Sequence, residues 1–529
     1  MSQTRIGAGL LLAAGLSLSI LAASASGGTH AKTPPVKNGG TLVVGMAAGE
    51  PDVLDPTLAR TFSGREVFLT FCEKLYDLDQ KANIVPQLAS ALPSVSKNKL
   101  TVTIPLRKGV RFNDGTPFNA KAVVTTINRD INLKGSVRAS ELSPVKSVST
   151  KGKYAVVFHL SSPYSPLTAQ LADRAGMIMS PAQLAKMGDK FGTAPVCVGA
   201  FNYQGRVAGD SITVVKSPYY YDKKDVHLSK IVFKIENDAA AAANALKAGD
   251  LQALDGVAST ELQGVASDPK LRIVTAAGLG YQGITINVGN TNGVGKPFGS
   301  NNSTDLGKSA KLRQAFELAI NRNALNKVVF NGTVLPGCTP ISPSSSWYDK
   351  TIKCTAYDPA QAKQLVQQSG ISNPTVHLMV PTGSVALRQA QFVQAEEEQV
   401  GIKVVIDSTD FVTALSKGDA GNFDAFQIGW SGRVDPDGNI YGFLASDGTL
   451  NNAGYHDPQV DRLLKLARLA VTTKARKAYY HALIAKSLQD RPIVYLYHAV
   501  TRAGVSKQLQ GVKLYPDTLL RVAFAGFSR

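Results

Sequence analysis

Residues 100–124 read LTVTIPLRKGVRFNDGTPFNAKAVV. Leu100, Val102, Ile104 and Leu106 alternate with the residues between them, the period of two that a half-buried strand requires. Asn113-Asp114-Gly115-Thr116-Pro117 then predicts a turn, since Asp-Gly supplies the left-handed backbone of a tight reversal. A helix is expected over about 120–133. Strand, turn and helix in immediate succession point to an α/β chain.

Working outward, the same alternation recurs. A Pro- and Gly-rich stretch leads into a strand at 41–44. Strands are expected at 211–216 and 230–235, then an Ala-rich helix at 239–247 closed by Gly249. Strands follow at 271–276 and 283–288. Residues 289–307, rich in Gly, Asn and Ser, form the expected domain boundary. Beyond it Leu312, Ala315, Phe316, Ala319 and Ile320 share one helical face, and that helix is expected to run through 327–330 to a stop at Asn331-Gly332. Helices are predicted at 359–368 and 386–401, and strands at 375–380 and 403–406. Asp457 caps and Pro458 starts another helix. A last helix ends at Asp490, before Pro492, and a strand covers 493–497. Two α/β lobes are the expected outcome.

Composition narrows the class. The 529 residues carry 57 Lys+Arg against 39 Asp+Glu, a net charge of +18, with 44% apolar residues. That apolar content is enough to build cores, which excludes a disordered chain. Residues 1–28 read MSQTRIGAGLLLAAGLSLSILAASASGG: one positive charge, Arg5, an apolar run from Ile6 to Ala23, then small residues. This is the layout of a secretory signal peptide with cleavage near Ala25; an uncleaved anchor is the other reading. A linker is expected over 26–38. Export bears on the charge as well. The basic residues are scattered and form no run of five or six, and no nucleic-acid motif is present, so no nucleic-acid partner is expected.

Four cysteines in an exported chain suggest two disulfides. Cys338 and Cys354 flank a short loop rich in Pro and Ser and are the expected pair, which leaves Cys72 with Cys197. A metal site has little support: there is no C-x-x-C, and the seven His lack ligand spacing. No metal and no cofactor are expected.

Three near-matches to catalytic or nucleotide motifs fail on their context. Residues 278–283, GLGYQG, fit G-x-G-x-x-G, but a dinucleotide loop must open a helix, and here a strand follows. Gly307-Lys308-Ser309 resembles the tail of a P-loop, yet Asn302 stands where its first glycine belongs. Residues 429–433, GWSGR, approach the nucleophile elbow, with Arg433 in place of the final Gly. His456, His481 and His498 are candidate bases, and nothing in the sequence puts them near Ser431. No catalytic residues are expected.

In this order the segments LVVG near residue 43, LDP at 54–56, FCEKLYDLDQKANIVPQLASALP at 71–93, residues 100–124, KIENDAAAAANALKAGDLQALDGV at 234–257, LRQAFELAINRNALNKVVFNG at 312–332 and IGWSGRVDPDGNIY at 428–441 resemble the peptide/nickel class of extracytoplasmic solute-binding proteins of ABC importers. The resemblance covers nearly all of the chain after the leader. It implies a two-lobed periplasmic-binding-protein (Venus-flytrap) fold with an extra subdomain in the first lobe and a two-segment hinge. Mapped here, the first lobe takes 39–287, with the subdomain at about 59–207. The second lobe takes 288–502, and 503–529 return to the first. The function implied is reversible capture of a peptide or peptide-like small polar solute by a monomer outside the cytoplasm, and its delivery to ABC permease subunits. A sensor reporting to a membrane receptor and an exported hydrolase using Ser431 are the alternatives.

The resemblance also implies site residues. Trp430 matches an aromatic wall of the pocket, next to Ser431. Peptide-binding members place an acid three positions after that Trp, where this chain has Arg433. A guanidinium suits a carboxylate or phosphate, so Arg433 is expected either to contact an acidic or zwitterionic ligand or to pair with Asp435 or Asp437. One of those two acids takes over the ligand's amine in the first case. From the first lobe, Tyr281 and Gln282 are expected to face the cleft, with strand packing as the other reading. Asp55 and Arg60 sit where members line it.

Overall fold

The segment 100–124 contributes to a small core of its own. In the computed structural model, which describes residues 35–301 and 303–529, Thr101–Pro105 is a strand with Val102 and Ile104 buried. Gly115 takes a φ of +82° in the turn. The Asn119 side chain accepts from the Lys121 and Ala122 backbone N–H groups and so caps the helix Ala120–Asn132. Val123 and Ile127 on that helix pack with Phe112, Phe118 and Phe158 against a four-stranded sheet ordered Ser94–Val95, Thr101–Pro105, Ala155–Leu160, Val145–Thr150. Each such side chain, once fully buried, contributes about 1.5–3 kcal/mol.

Two larger sheets carry the lobes. The first has seven strands, ordered Leu271–Ala277, Val500–Ser506, Ala253–Leu254, Thr41–Met46, Lys230–Ile235, Ser211–Lys216, Phe201–Val207. The second has six, ordered Leu335–Pro336, Ile493–His498, Tyr281–Ile286, Ala425–Trp430, Thr375–Pro381, Lys403–Thr409. In each, one strand is parallel to both neighbours: Thr41–Met46 in the first and Thr375–Pro381 in the second. Helices Ala310–Ala319 and Ser384–Glu398 supply Leu312, Phe316, Ala390 and Val393 to the core of the second lobe.

The chain passes between these sheets twice, at 278–280 and at Ala499. The boundaries that the resemblance implies, 287/288 and 502/503, fall one strand late in the first case and inside a strand in the second. Tyr281–Ile286 lies inside the six-stranded sheet, paired on both sides, and Val500–Ser506 lies wholly in the seven-stranded one. The crossings are tied together: Gly278 N donates to Ala499 O at 2.9 Å, and His498 Nδ1 lies 2.7 Å from Gly280 O. The glycines of the G-x-G-x-x-G match serve this crossover. A Cβ on Gly280 would fall 1.8 Å from the Trp430 carbonyl oxygen, and one on Gly283 2.8 Å from Val494 O. The subdomain also ends sooner than 207, because Phe201–Val207 pairs into the seven-stranded sheet.

One expected helix is two. Ala310–Ala319 stops at Ile320, and the Asn321 side chain accepts from Ala324 N to start Arg322–Phe330. A capping side chain in mid-pattern outweighs the continuous apolar face. Asn331 then ends the second helix in the left-handed conformation, as expected. Both disulfides are present, Cys72 with Cys197 and Cys338 with Cys354. The expected signal peptide, 1–25, and linker residues 26–34 lie outside the described residues. No helix among the described residues is long and apolar enough to cross a membrane.

Candidate functional site

The strand Ala425–Trp430 ends at the border between the lobes, and the loop after it is braced from within. Asn439 Oδ1 accepts from Arg433 N at 2.6 Å, and its Nδ2 donates to Arg433 O at 2.9 Å. Trp430 Nε1 donates to Gly438 O at 2.9 Å, and its ring stands edge-on to Phe443 at 4.9 Å. The Arg433 guanidinium lies 4.2 Å from the Trp430 ring centre, a cation–π contact.

Arg433 points across to the first lobe. Its partner is neither Asp435 nor Asp437 but Asp173, with which it forms a buried ion pair. Asp173 Oδ1 also accepts from Arg65 Nε at 3.1 Å, and Arg65 Nη1 donates to Ser431 Oγ at 2.9 Å. Burial alone would raise the Asp173 carboxyl; Arg433, Arg65, Arg174 and Arg138 together hold it well below the usual range. The Arg433 guanidinium is lowered as well: burial and then Arg65 push it down against the pull of Asp173.

The two acids of the loop are also engaged. Asp435 receives both Nη1 and Nη2 of Arg476, at 2.7 and 2.6 Å. Asp437 receives Nε and Nη2 of Arg468 at 2.7 and 2.9 Å, and Gln170 Nε2 from the first lobe at 3.1 Å. Each carboxylate is already paired with an arginine, so neither is presented to the cleft as an unpaired acid. Arg468 reaches on to Ser143 Oγ at 2.9 Å and Ser140 O at 3.2 Å. Arg60 pairs with Asp419 of the second lobe, and Ser140 and Thr449 share a hydrogen bond of 2.9 Å. Polar side chains thus join the lobes at several points along their seam.

The remaining expected residues fall in two groups. Trp430, Ser431, Arg433 and Arg60 lie on the seam. Asp55 does not line the cleft: it is 1% exposed and bound by Nη1 and Nη2 of Arg129 at 2.9 and 2.6 Å, so it fastens the 55–60 segment to the subdomain. Tyr281 belongs to the second lobe rather than the first. It is buried, edge-on to Tyr495 at 4.8 Å, and Gln282 lies across Gly429 on the neighbouring strand. Strand packing accounts for Tyr281. Ser431 Oγ accepts from Arg65 and, at 3.4 Å, from Arg433. Guanidinium donors cannot accept its proton, and His456, His481 and His498 make their hydrogen bonds to Gly454, Asp349 and Gly280. Among the described residues, no group of three or more His, Cys, Asp or Glu is placed to hold a metal ion.

Sequence reasoning missed Arg65, Arg138, Glu141, Asp173, Arg174, Arg468 and Arg476. One signal was available. Asp173-Arg174 interrupts the largely apolar stretch LADRAGMIM at 171–179, and Arg65-Glu66 interrupts FSGREVFLTF. Charges in apolar runs are buried with partners or placed for function.

A family model described as bacterial extracellular solute-binding proteins, family 5 Middle, matches residues 83–451. The glutathione-binding protein GsiB of Pectobacterium atrosepticum is 27% identical over 479 residues, covering 88% of this chain and 90% of its own. GsiB of Escherichia coli K12 matches to the same extent. Among solved structures, the oligopeptide-binding protein AppA of Bacillus subtilis, in complex with a nonapeptide, superposes with a TM-score of 0.85 at 24% identity, over 94% of this chain and all of AppA. The binding protein AgaA of A. tumefaciens R10, in complex with agropinic acid, gives 0.81 at 26% identity, over 93% and 99%.

Proposed function

This chain belongs to the bacterial extracellular solute-binding proteins of family 5, and we propose that it captures a small peptide-like polar solute between its two lobes and delivers it to the membrane permease of an ABC importer. It is a binding protein that works outside the cytoplasm and carries out no reaction of its own. The observation that carries the reading is the seam. Arg60, Arg65 and Asp173 from one lobe meet Asp419, Ser431 and Arg433 from the other. A solute lodged there touches both lobes, and its differential affinity for the closed form drives closure. The two crossings at 278–280 and Ala499 let the lobes bend about a hinge while resisting twist. Relatives named for glutathione and a structure holding agropinic acid support a small polar solute of this kind as the cargo.

Native mass spectrometry of the purified protein tests this. A bound small solute is expected, lost on unfolding and regained when the refolded protein is titrated with the same compound. Loss of uptake of that compound on deletion of the gene is the second expected result. A protein that retains no solute and shows no binding heat with glutathione or with peptides of a few residues would overturn the proposal.

A further inference from the structure

Behind the Asp173–Arg433 pair the first lobe holds two more arginines. Arg174 is 0% exposed and Arg138 1% exposed. Arg174 Nη1 donates to Ala59 O at 2.7 Å, and Arg138 Nη2 reaches the same oxygen at 3.4 Å. Arg138 Nη1 donates to Glu141 Oε1 at 2.6 Å. With Arg65 and Arg433 this makes four guanidinium groups around two carboxylates, Asp173 and Glu141. The donors are also underused. Nε and Nη2 of Arg174, Nε of Arg138 and Nη2 of Arg433 are buried and make no hydrogen bond to any of the described residues, four donors against two acceptors of the cluster, Glu141 Oε2 and Asp173 Oδ2, in the same condition.

A buried cation left without a counterion costs several kcal/mol, and natural folds avoid it. Two such excess charges in one place therefore call for an anion. Burial and then the neighbouring Arg138 push the Arg174 guanidinium down to about 9. The cluster also sits on the seam: Arg433 comes from the second lobe and the other three from the first. An anion held by it would favour the closed form. No acid of the 430–437 loop stands free for an ammonium group, since Asp435 and Asp437 are each held by an arginine.

We infer that Arg65, Arg138, Arg174 and Arg433 form the anion subsite of the cleft, which receives a carboxylate of the captured solute and selects for ligands of net negative charge. The inference rests on the reading of the cleft as the solute site. Guanidinium forks match a carboxylate with two parallel hydrogen bonds, and Arg174 is the member with most donors to spare.

The test uses calorimetry and thermal denaturation on the intact protein and on Arg174→Gln. The probes are glutathione, which carries two carboxylates, its diethyl ester, which carries none, and citrate against chloride at equal ionic strength. Glutathione is expected to bind about 10- to 100-fold more tightly than the ester, the worth of one or two charge-assisted hydrogen bonds. Arg174→Gln should erase that difference by weakening glutathione and leaving the ester unchanged. Citrate should raise the melting temperature of the wild type and not that of the variant. The free variant should melt no lower than the wild type, because it has lost an uncompensated buried charge. Equal binding of acid and ester, or equal stabilisation of both proteins by citrate, overturns the anion subsite and leaves solute capture standing. An Arg174-dependent citrate effect with no glutathione binding supports the subsite and counts against a peptide-like cargo. If the variant does not fold, the comparison of acid and ester on the wild type decides.

Discussion

Glu73 shows how much a single buried group can weigh. It accepts from Tyr220 at 2.6 Å and from Tyr221 at 3.0 Å. Burial nevertheless outweighs these bonds and pushes its carboxyl from the ordinary 4.5 up to about 7. The folded state then holds the proton more tightly than the unfolded one. Its contribution to stability is complete below pH 4.5 and is lost as pH rises to about 7, a change of roughly 3 kcal/mol. Urea denaturation between pH 4.5 and 7.5 should show Glu73→Gln with a flatter decline than the wild type. Glu66, Asp130 and Glu397 are raised by burial as well, so the difference between the two proteins, rather than either slope alone, reports on Glu73. Parallel curves would refute the assignment.

At the scale of elements, the two disulfides close loops of very different length. Cys338–Cys354 spans 16 residues and Cys72–Cys197 spans 125. In the chain-entropy account these contribute about 3 and about 5 kcal/mol. Replacing Cys72 and Cys197 together by Ala should therefore lower the denaturation midpoint more than replacing Cys338 and Cys354, and the reverse order would sink the loop-length account. Elements with a local signature were legible beforehand. The alternation at 100–106, the Asp-Gly turn and the Asp457-Pro458 helix start are short-range features, and the structure has each of them. What depends on distant partners was not legible. Ile320 continues the apolar face, yet the Asn321 cap breaks the helix there. Tyr281–Ile286 reads equally well as the end of one lobe or the start of the next until its neighbours, Ala425–Trp430 and Ile493–His498, are known. In the site, Trp430, Ser431, Arg433 and Arg60 were reached through the resemblance. Asp173 lies 260 positions before Arg433 and has no sequence relation to it beyond standing in an apolar run.

Over the whole molecule, the positive excess has an interior share. Arg65, Arg138, Arg174, Arg322, Arg433, Arg468 and Arg476 are all buried, and most of them stand on or beside the seam. Arg468 and Arg476 separate two roles. Both hold a loop acid by two hydrogen bonds, but Arg468 also spans to Ser140 and Ser143, whereas the polar partners of Arg476 all belong to the second lobe. Removing either leaves a buried carboxylate unpaired, so Arg468→Ala and Arg476→Ala should each cost about 3–5 kcal/mol in denaturation. Small-angle scattering should show a larger radius of gyration for Arg468→Ala only. A radius that rises equally in both variants would mean that the lobes are not held by the seam contacts of Arg468.

The position of Val500–Ser506 has a consequence for how the protein is put together. This strand lies inside the seven-stranded sheet, between Leu271–Ala277 and Ala253–Leu254. All six strands of the other large sheet have been synthesised by residue 498. A chain threaded through a membrane from its leading end can finish the second lobe while the first still has a slot between two unpaired strand edges. The lobe begun first is finished last, and its closure waits for the arrival of the strand that returns from the other.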